Sequence, residues 1–289
     1  MNTPTATIAV IGGSGLYRLF DPATSTSSRI ATPFGPADVT VGTLAGRPVA
    51  FLTRHGVDHS VAPHLINYRA NIWALASLGV KAIISSAAVG GVSPDFPPGT
   101  IALPDQFIDR TWGRADTFYD RGSVQHLAAA DPFCPDLLGT AASALAAAGE
   151  TVTPHGTIVV IQGPRFSTRA ESVWFRNAGA HLVNMTLYPE VPLAAELNIG
   201  TVNLSFVTDA DAGLAPAART TGADSTPAND AGAEEDVSAE LVFARLAEAQ
   251  PRIIAAIEAI VGAIPEDYTP RELISPDAVA AILALEVAE

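Results

Sequence analysis

The chain has 289 residues, 48% of them hydrophobic, which is enough to build the core of one large α/β domain. Its formal net charge of -14 repels nucleic acid and anionic membrane surfaces, so neither is expected as a partner. No apolar run is long enough to span a bilayer, the start lacks a basic, cleavable leader pattern, and Cys134 is the only cysteine; a cytoplasmic protein without disulfides is expected.

Thr7 to Ile11 reads as a first strand ending in a glycine-rich turn, Gly12-Gly13-Ser14-Gly15. Val39 to Leu44 and Pro48 to Thr53 read as a hairpin joined at Ala45-Gly46-Arg47. Asn67 to Leu78 has helical character, with Asn67 as N-cap and Gly79 as stop. Lys81 to Ala87 is a short buried strand, followed by another at Thr100 to Leu103. Asp136 to Ala148 is a helix, Thr157 to Ile161 a strand, Thr168 to Ala178 a helix, and His181 to Asn184 a strand. Val191 to Leu197 is helical and Thr201 to Thr208 is a strand. Residues 213–235 are poor in large apolar side chains and read as a flexible insertion. A long helix from Asp236 to Ile260 should be interrupted near Pro251, and Pro276 to Val287 is a last helix. The alternation predicts an α/β single domain, a mixed central sheet flanked by helices, over residues 1–265, with a C-terminal tail at 266–289.

Five motifs carry chemistry, each with a plain structural alternative. The turn Ile11 to Tyr17 can cradle phosphate through backbone N–H groups and the Ser14 hydroxyl, or be a simple tight turn. It is no dinucleotide fingerprint, because Arg18 stands where the third glycine is needed. Arg54-His55-Gly56 at a strand end suits an oxyanion; it fits phosphate binding, the nucleophile of a histidine phosphatase, or a turn. His55, His59 and His64 lack the glutamate of a zinc helix, so no metal is expected. Ser85 to Ser93 offers small residues at a strand end, where ligands approach backbone in open α/β sheets, or where a helix packs closely. Phe166 could stack on a base and Met185 on a sugar, or both could be core. Thr208-Asp209-Ala210-Asp211 delivers two carboxylates to one side if extended, which raises at least one pKa; a solvated loop is the alternative.

Taken in order, nine segments resemble the methylthioadenosine phosphorylase branch of the trimeric purine nucleoside phosphorylase family. They are Thr32 to Gly35, Arg54 to Gly56, Pro63 to Leu75, Asp105 to Thr111, Phe118 to Asp120, His126 to Pro135, Gln162 to Ser172, Asn184 to Val191 and Thr208 to Asp211. The resemblance implies a homotrimer and a phosphate site of Ser14, Arg54, His55, Ala88 and Thr186, which leaves the phosphatase reading remote. It puts Met185 against the ribose, Phe166 beside the base, and Asp209 and Asp211 in the catalytic role of holding adenine, with Asp209 as proton donor to N7. The 5′ pocket would take Ala239 and Val242, plus His126 lent by a neighbouring subunit. The implied reaction is phosphorolysis of 5′-methylthioadenosine to adenine and 5-methylthioribose 1-phosphate, with inorganic phosphate as co-substrate and no cofactor. A purine nucleoside phosphorylase acting on adenosine or 6-oxopurine nucleosides is the nearest alternative. A nucleotide-binding relative without turnover is a third reading, favoured by Ala87, which stands where the family usually has a phosphate-binding threonine. Ala239 also departs, standing where a valine usually lines the 5′ pocket.

Overall fold

The computed structural model describes residues 5–213 and 238–287. All but the first residue of the expected insertion at 213–235, and the expected helix start at Asp236, lie outside the described residues. The strands in chain order are β1 (Ile8–Gly12), β2 (Thr26–Ile30), β3 (Ala37–Leu44), β4 (Arg47–Thr53), β5 (Ala82–Gly91), β6 (Ile101–Ala102), β7 (Gln106–Arg110), β8 (Val152–Thr153), β9 (Thr157–Ile161), β10 (Leu182–Asn184) and β11 (Gly200–Ala210). The helices are α1 (Tyr68–Ser77), α2 (Pro135–Ala147), α3 (Arg169–Asn177), α4 (Leu187–Glu196), α5 (Ala239–Ala263) and α6 (Pro276–Leu283).

One mixed sheet runs β2-β3-β4-β1-β5-β10-β9-β7, with β11 parallel to β5 and β6 and β8 beyond it. Helices cover both faces. Ile72, Trp73 and Leu75 of α1 pack with Leu193 of α4, Ile282 of α6 and Ile83 of β5. Leu137 and Leu145 of α2 pack with Ile257 and Ile260 of α5 against Val10 and Ile84. Local signals explain the helix ends. The Asn67 side chain accepts from Ala70 N at 3.1 Å to open α1, and Gly79, with φ at +88°, lets the chain leave it. Thr168 and Glu171 form a reciprocal capping box that starts α3.

Three expectations are corrected. The strand expected to end at Ala87 runs on to Gly91, because β11 pairs with it along its whole length. Helix α5 is continuous through Pro251, since the apolar residues Leu246, Ala249, Ile253 and Ile257 hold both halves on the core despite the one hydrogen bond proline forgoes. β2 and β7, both rich in polar residues at sheet edges, were not expected at all.

The topology itself makes room for a site. On one edge of β5, β1 pairs from Ala82 to Ser85 and then departs. β10 takes up the same edge only at Gly90 and Gly91, running the other way. Residues 86–89 between them have no strand partner on that side. This is the switch point at which open α/β sheets bind ligands.

Candidate active site

A cavity of about 230 Å³ opens at this gap, and Ala87, Ala88, Val89 and Gly90 form its floor. Around it stand eleven residues expected from the sequence: Ser14, Arg54, His55, Ala88, Phe166, Met185, Thr186, Asp209, Asp211, Ala239 and Val242. His126 is exposed and lies outside the lining of this chain's cavity.

The basic end is wired by a buried ion pair. Arg54 follows β4 and donates from Nε and Nη2 to the Glu190 carboxylate of α4, at 2.6 and 2.8 Å. Its Nη1 donates to Ser86 O at 3.0 Å. Two of its five N–H groups remain for a ligand. Burial alone would lower the Arg54 pKa; the facing carboxylate more than offsets this and holds it above its usual value. His55 Nδ1 lies 2.9 Å from Val61 O, which fixes that nitrogen as the N–H donor. Burial, with the Arg54 charge behind it, pushes the His55 pKa down to about 4, so the ring is neutral at pH 7. Gly13 is forced by close approach: a Cβ there would lie 2.4 Å from Ser86 O and 3.0 Å from Arg54 Nη1.

The acidic end is built differently. A bulge shifts the β11 register between Val207 and Asp209, so Asp209 pairs with Gly90. β11 ends at Ala210, and Asp211 opens a short 3-10 turn whose Ala212 has φ +49°. The chain is thus not extended through Asp211, the condition under which both carboxylates were expected on one side, yet both still line the cavity. Gly90 permits this, since a Cβ there would sit 3.1 Å from Asp211 Cβ and 3.2 Å from Asp209 Oδ2. Asp209 is 5% exposed and accepts from Thr208 Oγ1 at 2.6 Å. Burial, aided by the Asp211 charge, pushes its pKa up to about 6; the Thr208 bond and the Arg245 charge hold it back. Asp211 is raised chiefly by burial and accepts a hydrogen bond from Ser172 of α3.

Several groups in and behind the cavity wall were not expected. His59 was weighed only as a metal ligand; its ring packs tilted against His55 with centroids 4.6 Å apart, meets Phe243 edge-on at 5.2 Å, and pairs with Tyr17 OH at 3.1 Å through Nδ1. Among the described residues no group of three His, Cys, Asp or Glu is placed to hold a metal. Phe243 joins Ala239 and Val242 on the first turns of α5 at i, i+3 and i+4, one helical face. Glu190 lies within the segment Asn184 to Val191, but nothing in its spacing ties it to Arg54, 136 positions away.

A sequence profile of the phosphorylase superfamily matches residues 7–262, and the chain belongs to that family. It is 51% identical to an S-methyl-5'-thioadenosine phosphorylase of Mycolicibacterium smegmatis over 209 residues, 72% of this chain and 78% of the relative. It is 47% identical to a purine nucleoside phosphorylase of Streptomyces coelicolor over 224 residues, 73% of this chain and 79% of the relative. The methylthioadenosine phosphorylase of Schistosoma mansoni in complex with adenine shares the fold with a TM-score of 0.79 at 29% identity, covering 97% of each chain.

Proposed function

We propose that the chain catalyses phosphorolysis of 5′-methylthioadenosine, giving adenine and 5-methylthioribose 1-phosphate. The observation that carries this is the two-ended cavity: an anion corner at Ser14, Arg54, His55, Ala88 and Thr186, and a buried carboxyl with a pKa near 6 at Asp209. Phosphate in the corner lies under the sugar, which rests on Met185, while Phe166 covers the base. As the bond from C1′ to N9 lengthens, its electron pair goes to the purine and the sugar becomes cationic. The phosphate dianion stabilises that charge and then bonds to C1′. Protonated Asp209 gives its proton to N7, so adenine leaves neutral, and the proton of hydrogen phosphate later restores Asp209. Asp211 is a second carboxylate beside it. These residues suffice without a metal or organic cofactor. Ala239 and Val242 form the 5′ pocket, completed in a homotrimer by His126 of the partner subunit. A reducing cytoplasm suits a chain with one cysteine.

A second reading, purine nucleoside phosphorolysis on adenosine, is favoured by Ala239, whose small side chain leaves space for a polar 5′ group. One assay separates the two. Free base released from methylthioadenosine, adenosine and inosine is measured with and without phosphate. Phosphate-dependent adenine release, fastest from methylthioadenosine, is expected. Release that ignores phosphate, or that is fastest from inosine, overturns the proposal.

A further inference from the structure

Arg114 lies outside the cavity, in the loop after β7, and nothing in the reaction above uses it. Its guanidinium nonetheless ends behind the wall that faces the nucleoside. Nη1 donates to Met185 O at 3.0 Å, to Tyr188 O, and to Tyr68 OH at 3.4 Å. Nη2 donates to Gln162 O at 3.0 Å and Ile161 O at 3.5 Å. Tyr68 OH in turn donates to Pro63 O at 2.9 Å, and the Arg114 guanidinium carbon sits 5.7 Å from the Tyr68 ring centroid. Two stretches of cavity wall therefore meet on Arg114, Ile161 with the loop to Phe166 and Met185 with Thr186, and a third, Pro63, is tied to it through Tyr68.

The chemistry of this arrangement is specific. The carbonyls of Gln162, Met185 and Tyr188 belong to loop or irregular helix-start backbone, which has no regular ladder to satisfy it. A planar fork of N–H donors can reach carbonyls on two separate segments at once, and an ammonium cannot reproduce that geometry. The guanidinium donates to carbonyl oxygens and a phenol, and burial lowers its pKa against the opposing pull of Tyr68 and Asp109. Holding a cation this way is costly, and an apolar side chain would fill the space without that cost.

We propose that Arg114 is a positioning residue for the phosphorolysis: it fixes the Met185–Tyr188 segment against the Ile161–Gln162 segment, and so sets where the sugar sits over phosphate. This rests on the reaction proposed above. Its signature is a loss in kcat greater than the rise in KM, because alignment matters most at the transition state.

The test uses the full chain with R114K, R114M and R114A. Nucleoside and phosphate kinetics, melting temperature, and adenine binding by titration calorimetry are measured for each. R114M should lose about a hundredfold in kcat, with both KM values moving less than about fivefold; R114K should lose at least about tenfold. Guanidinium at tens of millimolar should restore R114A severalfold and saturably, where sodium chloride does not. Adenine should bind the variants a few-fold more weakly, in step with the nucleoside KM, a reading that needs no turnover. A folded R114K with parental kcat and adenine affinity overturns the proposal. So does activity lost only in proportion to folded protein, or rescue equal in the two salts. A parent without phosphorolysis but with adenine binding weakened in R114K would sink the reaction and keep the clamp.

Discussion

The two ends of the cavity solve the burial of charge in opposite ways. At the basic end Arg54 is neutralised in place by Glu190, and His55 is kept uncharged. At the acidic end Asp209 has the Thr208 hydroxyl as a partner, a like-charged neighbour in Asp211 and the opposing charge of Arg245, and its proton affinity is raised by burial. A fixed ion pair gives a corner whose charge does not change with pH near neutrality. A carboxyl buried beside another carboxylate gives a group that can hold a proton near neutral pH and release it. Anion binding needs the first property and general acid catalysis the second.

The comparison breaks most visibly at Asp209. Asp209→Asn keeps the shape and removes the transferable proton, so turnover of 6-aminopurine substrates should fall about 10²–10⁴-fold. The amide can donate to a 6-oxo group, so preference should move toward inosine by roughly tenfold to a hundredfold. Competition assays on paired substrates read this; full activity on methylthioadenosine would end Asp209's role. At the other end, Glu190→Ala strands a buried guanidinium, which typically costs about 3–5 kcal/mol. Urea unfolding should show that loss, and phosphate should stabilise the variant more than the parent, since it supplies the missing anion. A cost below about 1 kcal/mol would mean that Arg54 relaxes toward solvent.

The two ends also titrate with opposite sign. Asp209 is raised from 3.8 to about 6, so its contribution to stability is full below pH 3.8 and is lost as pH rises through about 6. His55 is lowered from 6.5 to about 4, so its contribution is present above pH 6.5 and is lost as pH falls through about 4. Each is worth roughly 3 kcal/mol, and between pH 4 and 6 they nearly cancel. Relative to the parent, Asp209→Asn should therefore gain stability as pH rises through this window, and His55→Gln should lose it. Chemical denaturation at a series of pH values measures both slopes; slopes of the same sign would show that one of the two shifts is misassigned. The smallest effect concerns Ala87, which is 6% exposed on the cavity floor. Ala87→Thr should lower the phosphate KM by about tenfold, the worth of one hydrogen bond to a charged group. An unchanged KM would show that the existing donors already satisfy the anion.

The placement of the strand-end residues was legible from sequence because it is local. Ser14, Arg54 and Asp209 each follow an apolar run that announces a strand, and a switch point gathers strand ends. Long-range partners were not legible. Glu190 and Ser172 meet Arg54 and Asp211 only through the packing of α4 and α3 on the sheet. β2 carries no buried residue to mark it, and Pro251 gives the same signal whether or not tertiary contacts carry the helix past it. His59 was weighed only as a metal ligand, and its edge-on contact with Phe243 was not legible because it depends on how α5 docks.

Pro251 has a consequence for how α5 melts. Its missing N–H removes the rung that would tie residue 251 to residue 247, so the helix has a weak seam near its middle. Of the seven buried residues on α5, Leu246 and Ala249 precede the seam, and Ile253, Ala256, Ile257, Ile260 and Val261 follow it. The half that carries Ala239, Val242 and Phe243 is thus expected to open more readily than the half that anchors the core. Its amides should exchange with deuterium at lower opening cost than those after residue 253, and nucleoside should slow the first group while leaving the second unchanged.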